Sequence, residues 1–282
     1  MTKVAVITDS TCSMPRDLIQ QYDIKVAPQV VIWGGESLLD EIDMTAEQFY
    51  ERLTSSDEFP TTSQATIGSF KEIFEPLVAA GQPIVAICVS DKLSGTYQSA
   101  MQAKDLFPDA PIHVVNSETV AMALGFQVLA AARKAQAGGS AEEVVAASEQ
   151  EKKRSGVILM LDTLEFLHRG GRIGNAQRLL GAALNLKPIL TVEEGRVEPL
   201  DRVRTRSKAT ARLLELVEER VAGQRPLKVA IHHTGAIEHA QDLRRQIEEK
   251  FTPDEVFFSI ITPAVGAHAG PGAVAVAYAA GG

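Results

Sequence analysis

The sequence predicts an α/β protein with a mostly parallel sheet in its first half. Three observations lead there. Apolar runs of strand length alternate with helical stretches through the first half, the alternation that builds a parallel sheet covered on both faces. Two helical stretches open on capping-box patterns, Thr45-Ala46-Glu47-Gln48 and Ser140-Ala141-Glu142-Glu143. Two apolar runs also stop abruptly at hydroxyl-rich turns: Asp9-Ser10-Thr11 after Val4–Thr8, and Ser90-Asp91-Lys92-Leu93-Ser94-Gly95-Thr96 after Ile84–Val89.

The elements follow in order. Val4–Thr8 reads as the first strand, and Pro15 suits the first turn of a helix over Met14–Tyr22. Ile24–Ile32 reads as one strand, with the single Trp33 at its end. Thr45 caps a helix on which Phe49 and Leu53 lie one turn apart. The chain is extended before Pro60, and Thr61-Thr62-Ser63-Gln64 leads into a stripe of Phe70, Ile73, Phe74 and Leu77 at helical spacing. Ile84–Val89 is a buried strand, and Tyr97 and Met101 mark the helix after its turn. Ile112–Val115 is the next strand, and a long helix runs to Ala137 before Gly138-Gly139 breaks it.

The second half opens on a strand at Gly156–Leu161, and a helix begun by Leu164 and Leu167 is interrupted by Arg169-Gly170-Gly171-Arg172-Ile173. Lys187–Val192 and Arg196–Glu198 form two strands around a turn at Gly195, followed by an amphipathic helix over Ser207–Val221. Val229–His233, Ile237–Phe251 and Val256–Ile261 restore the strand-helix-strand order. The change of texture places a domain boundary near Arg154, dividing the chain into residues 1–154 and 155–282.

Composition narrows the function. Hydrophobic residues at 45% and charged residues at 23% suit a soluble globular chain. A net charge of -8 argues against a whole-chain nucleic-acid footprint. Cys12 and Cys88 lie far apart and form neither a zinc pair nor a disulfide framework. Met-Thr-Lys leads straight into Val4-Ala5-Val6-Ile7 without a signal peptide's longer apolar region. The most apolar long stretch, Ala264–Ala280, is interrupted by His268, Pro271 and glycines and makes a poor membrane span. A cytoplasmic protein with neither metal nor cofactor is the expectation.

The turn at Ser94-Gly95-Thr96 is the most informative feature. Helix starts carry unpaired N–H groups and a partial positive charge, so this turn suits a phosphate or carboxylate. Asp9, Ser10, Thr62 and Ser63 lie in loops of the same kind. The same residue types favour N-caps, the better expectation for any one of them alone. His268, within Gly266-Ala267-His268-Ala269-Gly270-Pro271-Gly272, is either a solvated turn histidine or an imidazole facing an acidic ligand. Arg169, Arg172 and Arg178 form one basic cluster, and Arg202, Arg204, Arg206 and Lys208 another. Guanidinium groups suit phosphate and carboxylate, and exposed ones are equally a solvated surface. His232 and His233, adjacent on a strand, make a poor metal pair. No Gly-rich phosphate loop, HExxH or GxGxxG is present. A serine hydrolase using Ser94, His268 and Asp9 or Asp162 is the alternative, although Ser94 lacks the Gly-x-Ser-x-Gly elbow.

Together these segments resemble the DegV family along essentially the whole chain. The carriers are Ile7-Thr8-Asp9-Ser10-Thr11, Thr62-Ser63-Gln64, Leu93-Ser94-Gly95-Thr96-Tyr97, Leu167-His168-Arg169-Gly170-Gly171-Arg172-Ile173, Lys187-Pro188-Ile189 and His268-Ala269-Gly270-Pro271-Gly272. The resemblance implies a two-domain α/β fold holding one long-chain fatty acid between its domains. It further implies a binding subunit with no turnover alone, which presents the carboxylate to a separate fatty acid kinase and carries the acyl-phosphate, in the service of phospholipid synthesis. Such a subunit has no membrane span and touches a membrane at most transiently. Thr62 and Ser94 would hold the carboxylate with His268 nearby. Asp9, Ser10, Ser63, Gly95 and Thr96 would support the loops, and Arg172 and Arg204 would meet the kinase or the acyl-phosphate. The family often has Thr where Ala269 stands, so a hydroxyl is absent there. The segments Ala121–Ala132 and Leu179–Leu190 are apolar enough to wall a tunnel, and read equally as plain core.

Overall fold

The computed structural model describes residues 3–180 and 186–281. The stretch Leu179–Leu190 therefore falls partly outside the described residues.

The chain opens with β1 (Ala5–Asp9), α1 (Arg16–Gln21) and β2 (Lys25–Ala27). The expected single strand over Ile24–Ile32 is two. Pro28 has no N–H to offer a ladder, so β2 ends before it, and β3 (Val30–Trp33) joins a different sheet. There it pairs antiparallel with β4 (Glu36–Leu39), which sequence reading did not foresee. Helix α2 (Ala46–Ser55) begins at a complete Thr45/Gln48 capping box. β5 (Thr61–Ser63) adds to the free edge of β3, and α3 (Ile67–Ala79) follows. Then come β6 (Ile84–Cys88), α4 (Thr96–Lys104) and β7 (Ile112–Asn116). The order β2-β1-β6-β7 is parallel throughout, as expected for the first half.

Helices α5 (Ala121–Gln136) and α6 (Ala141–Lys152) precede β8 (Ser155–Met160). After α7 (Glu165–Arg169) and a 3-10 segment at Gly174–Leu179 come β9 (Lys187–Glu193) and β10 (Arg196–Val203). The chain closes with α8 (Arg206–Val221), β11 (Leu227–His233), α9 (Ile237–Phe251), β12 (Glu255–Ile260), α10 (Pro263–Ala269) and β13 (Val274–Ala280). The second sheet runs β10-β9-β8-β13-β11-β12, with β11–β12 its parallel pair. The apolar stretch Ala264–Ala280 thus divides between a helix and a central strand. Among the described residues no helix is long and apolar enough to cross a membrane.

These elements stack as layers. Phe70 and Phe74 of α3 and Ala100 and Ala103 of α4 cover one face of the parallel sheet. Leu213 and Val217 of α8 and Leu243 and Ile247 of α9 cover one face of the second sheet. Helix α5 lies between the two remaining faces, touching Val6, Val85 and Ile87 on one side and Val157, Ala275 and Ala277 on the other through a single apolar cluster. A helix held between two sheets is apolar nearly all round, and α5 is buried from Ala121 to Leu129.

Candidate functional site

Where α5 stops filling the space between the layers, a cavity opens. Counting its mouth it comprises about 970 Å³ not filled by atoms. Val157, Leu159 and Leu161 line it from one face of β8, while Ile158 and Met160 turn to the α8/α9 core. Val192 and Val197 of the β9–β10 pair, Ala273 and Ala275 at β13, and Ile261 and Val265 around α10 continue the apolar wall. Of Ala121–Ala132 only Ala121 reaches the cavity, because the rest of α5 is consumed in packing both sheets. None of the described part of Leu179–Leu190 lines it.

Against this wall stand Thr11, Gln29, Thr62, Gln64, Ser94, Arg172 and His268. Six segments bring them together, and buried hydrogen bonds lock the loops after β1 and β6 to each other and the loop after β1 to α10. The Asp9 carboxylate caps the turn at Ser10–Cys12, accepting from Thr11 N (3.0 Å) and Thr11 Oγ1 (2.5 Å). It also accepts from Val89 N at 2.8 Å, joining the loop after β1 to the loop after β6. Burial pushes its pKa up, against these hydrogen bonds. Ser10 Oγ donates to Asp40 Oδ2 at 2.5 Å, and Asp40 Oδ1 accepts from Ala264 N at 3.2 Å, in the first turn of the helix that ends with His268 and Ala269. Asp9 and Ser10 thus hold the loops together and do not themselves line the cavity.

The direction of the Ser94 proton follows from its neighbours. Thr96 Oγ1 accepts from Gln29 Nε2 at 2.8 Å and from Ala65 N at 3.3 Å. Both its lone pairs are then used, so in the 2.9 Å contact with Ser94 Oγ it is Thr96 that donates. Ser94 Oγ also accepts from Thr96 N at 3.3 Å. The Ser94 O–H is left to donate into the cavity. Gly95 heads α4 without a side-chain cap, and a Cβ there would meet Gln64 Cδ at 3.1 Å. Its role is to let Gln64 approach. Ser63 lies opposite Val30 in the small sheet, away from the cavity lining.

A parallel argument fixes Thr62. Its Oγ1 lies 2.8 Å from His268 Nε2. Burial, helped by the neighbouring Arg172 charge, holds the His268 pKa down at about 4, so the ring is neutral at pH 7. His268 Nδ1 is buried with no partner among the described residues, against the bare backbone of Gly170, where a Cβ would sit 2.1 Å from it. An orphaned N–H is the rarer and costlier kind of unpaired group, so the proton belongs on Nε2. It donates to Thr62 Oγ1, and the Thr62 O–H is free to donate onward. Two hydroxyl donors thereby face the cavity.

Arg172 is tethered beside them, Nε donating to Leu93 O (3.0 Å) and Nη1 to Gly170 O (2.8 Å). Arg204 is exposed between β10 and α8 and does not line the cavity. The structure does not bring Arg172 and Arg204 into one cavity lining. Arg169 lies over the Phe59 ring at 3.8 Å, and Arg206 pairs with Asp162 at 2.6 Å. Arg178 and Arg202, assigned to separate clusters by sequence, line one surface depression.

Gln29, His232, His233 and Thr234 line the cavity and were not singled out as ligand-facing. Gln29 gave no signal because it lay inside the strand expected over Ile24–Ile32. His232 accepts from Met122 N at 3.3 Å and lies 2.9 Å from Ser259 Oγ, which itself donates to Ser13 O. The hydrolase triad is not assembled. The Asp9 carboxylate is engaged by Thr11 and Val89, and Asp162 binds Lys187 and Arg206, so neither orients His268.

The model of the DegV family, described as "Uncharacterised protein, DegV family", matches residues 3–281. The chain belongs to the DegV family. A DegV domain-containing protein of Clostridium perfringens is 38% identical over 280 residues, 98% of each chain. Among solved structures, a DegV family protein from Thermus thermophilus described by its fatty acid binding has a TM-score of 0.93 at 31% identity, covering 99% of this chain and 100% of that one. DegV of Bacillus subtilis, described as a fatty acid binding protein, has a TM-score of 0.90 at 32% identity over 99% and 100% of the two chains. The DegV fold, with its parallel sheet and second mixed sheet, is therefore the fold of this chain.

Proposed function

We propose that this DegV-family chain binds one long-chain fatty acid, with the carboxylate on Ser94 and Thr62 and the acyl chain along the apolar wall between residues 1–154 and 155–282. The observation that carries this reading is the pair of inward-directed hydroxyls beside a cavity lined mainly by aliphatic side chains. Two O–H donors match the two oxygens of a carboxylate, and hydrogen bonds to a charged acceptor are the stronger kind. Thr96 and His268 act at one remove, aiming those hydroxyls. Arg172 adds positive charge nearby. The fatty acid binding described for the Thermus and Bacillus relatives supports the same ligand class.

The reading extends to a carrier without turnover of its own, which delivers the acid to a separate kinase subunit and carries the acyl-phosphate. Arg172 would meet the phosphorylated head and the exposed Arg204 would meet the kinase, within the cytoplasm. The hydroxyl–imidazole pair at the site, Thr62–His268, has no third group orienting the ring, since His268 Nδ1 has no partner among the described residues. Lipid extraction from the purified protein followed by mass spectrometry tests the reading. One long-chain fatty acid per chain is expected. Its absence, together with ester hydrolysis abolished by Ser94→Ala, would establish the hydrolase instead.

A further inference from the structure

The two hydroxyls at the head of the cavity stand on different supports. Ser94 belongs to the loop after β6 of the parallel sheet, whereas Thr62 lies on β5, a three-residue edge strand of the small sheet. There Thr62 stands opposite Val31 of β3. Its partner His268 lies in the last turn of α10. The start of that helix is well fixed: Tyr50 Oη donates to Ile261 O at 3.0 Å, and Asp40 accepts from Ala264 N at 3.2 Å. Along the rest of α10, the only hydrogen bond to another element among the described residues is the 2.8 Å contact between Thr62 and His268. A hydrogen bond tolerates only a few tenths of an ångström in that distance, so β5 must be held against the end of α10 by packing.

That packing begins at Phe59, just before Pro60 and β5. Its ring centroid lies 5.1 Å from that of Phe166 on α7, with the rings tilted by 39°, within the range aromatic pairs favour. Phe166 in turn lies against Gly270, two residues after His268, where a Cβ would come within 2.4 Å of the ring. The turn that ends α7 closes the path. Gly170 N donates to Phe166 O at 2.9 Å, and the bare Gly170 backbone faces the His268 ring. On Phe59 itself rests Arg169, with Cζ 3.8 Å from the ring centroid, a cation–π contact. Glu165 holds that guanidinium at 2.7 Å. Helix α7 has only five residues, too few to stand without such contacts. Phe59 is 37% exposed and lies outside the apolar cluster that joins α2, α10 and Phe166. Its two contacts therefore serve the join between β5 and α7 more than the core.

We propose that Phe59 is a positioning residue of the carboxylate site: by joining β5 to α7 it sets Thr62 against His268 and so aims the Thr62 hydroxyl at the ligand. The inference rests on the fatty acid reading above. It is tested by titrating delipidated protein with palmitate, comparing the wild type with Phe59→Ala, Phe59→Tyr, Thr62→Val and the double variant Phe59→Ala/Thr62→Val. Phe59→Ala is expected to weaken palmitate binding roughly tenfold. Phe59→Tyr keeps the ring and should restore the affinity to within about twofold of the wild type. In the Thr62→Val background, Phe59→Ala should cost less than about twofold, because residues that act through one another are not additive. Phe59→Leu carries the same comparison if the alanine variant does not fold. An affinity unmoved by Phe59→Ala would overturn the proposal. So would an equal loss with and without the Thr62 hydroxyl, which would make Phe59 a structural residue only, and so would a Phe59→Tyr protein as weak as Phe59→Ala. A wild type that binds no palmitate overturns the fatty acid reading itself, a separate result.

Discussion

The two faces of β13 differ more than its apolar sequence suggests. Val274, Val276, Tyr278 and Ala280 turn to α8 and α9 and complete a core. Ala273, Ala275, Ala277 and Ala279 belong to the cluster around α5. Their cross-strand neighbours on β8 are larger, with Leu159 opposite Ala275 and Val157 opposite Ala277. Small side chains on one strand and medium ones beside it leave unfilled volume on a face that is otherwise dry. Both faces exclude water, yet one is packed except where Val274 also reaches the cavity, and the other keeps room for a ligand. A cavity is thus made here by residue size at fixed hydrophobicity, with no change in backbone geometry.

The sharpest way to break this contrast is to exchange the sizes. Ala275→Phe should fill the space beside Leu159 and reduce fatty acid retention by a hundredfold or more, read by quantitative lipid extraction. Val276→Ala, one residue away on the packed face, should instead destabilise the fold by about 2 kcal/mol through lost burial and a new cavity, read by chemical denaturation, while retention persists. Equal loss of retention in both variants would show that the two faces are not distinct in function.

The contrast was hardly legible in the sequence, for a physical reason. Periodicity is visible only where polar and apolar residues alternate, and alternating Ala and Val carry no such signal. The stretch Ala264–Ala280 was accordingly read only as too interrupted for a membrane span. The strand-to-helix turn at Ser94-Gly95-Thr96 was legible, because apolar run, hydroxyls and helical spacing are all local. The direction of the Ser94 proton was not, since it depends on Gln29 and on Ala65, which are distant in sequence from Thr96. Capping boxes at Thr45 and Ser140 were legible for the same local reason and are present. Pro28 was the missed local cue: read as a break, it would have separated β2 from β3.

The polar end tests the contrast from the other side. Ser94→Ala removes a donor to the carboxylate and the acceptor of the buried Thr96 hydroxyl, so it should weaken retention of the carboxylate by about 1.5–3 kcal/mol and lower the melting temperature modestly. Thr96→Val should weaken retention less, because the Ser94 hydroxyl remains but loses the donor that aims it. Direct titration with palmitate orders the two variants. A Ser94→Ala protein of unchanged affinity would remove Ser94 from the site, and a larger loss in Thr96→Val would mean that positioning outweighs contact.

The smallest effect lies in the pH dependence of stability, and it separates the cavity face from the loops that frame it. His232 stands opposite Ala275, fully buried, with its pKa driven down to about 4 mainly by burial. Its Nε2 must keep a lone pair for Met122 N–H. An unfolded imidazole takes its proton near 6.5, so unfolding binds protons below that pH. The stability contributed by neutral His232 is full above about pH 6.5 and is lost as pH falls through about 4; His268 acts in the same direction. Asp40 acts in the opposite direction. Burial raises its pKa from 3.8 to about 7, so the folded state favours its protonated form and loses stability as pH rises through that interval. Each group contributes a slope of at most about 1.4 kcal/mol per pH unit, and between pH 4 and 7 the opposing slopes offset one another. Asp40→Asn should therefore steepen the loss of stability on acidification, and His232→Asn should flatten it, as followed by urea midpoints from pH 4.5 to 7.5. If both variants keep the wild-type slope, burial on the cavity face does not shift these protons, and the site is wetter than its packed surroundings imply.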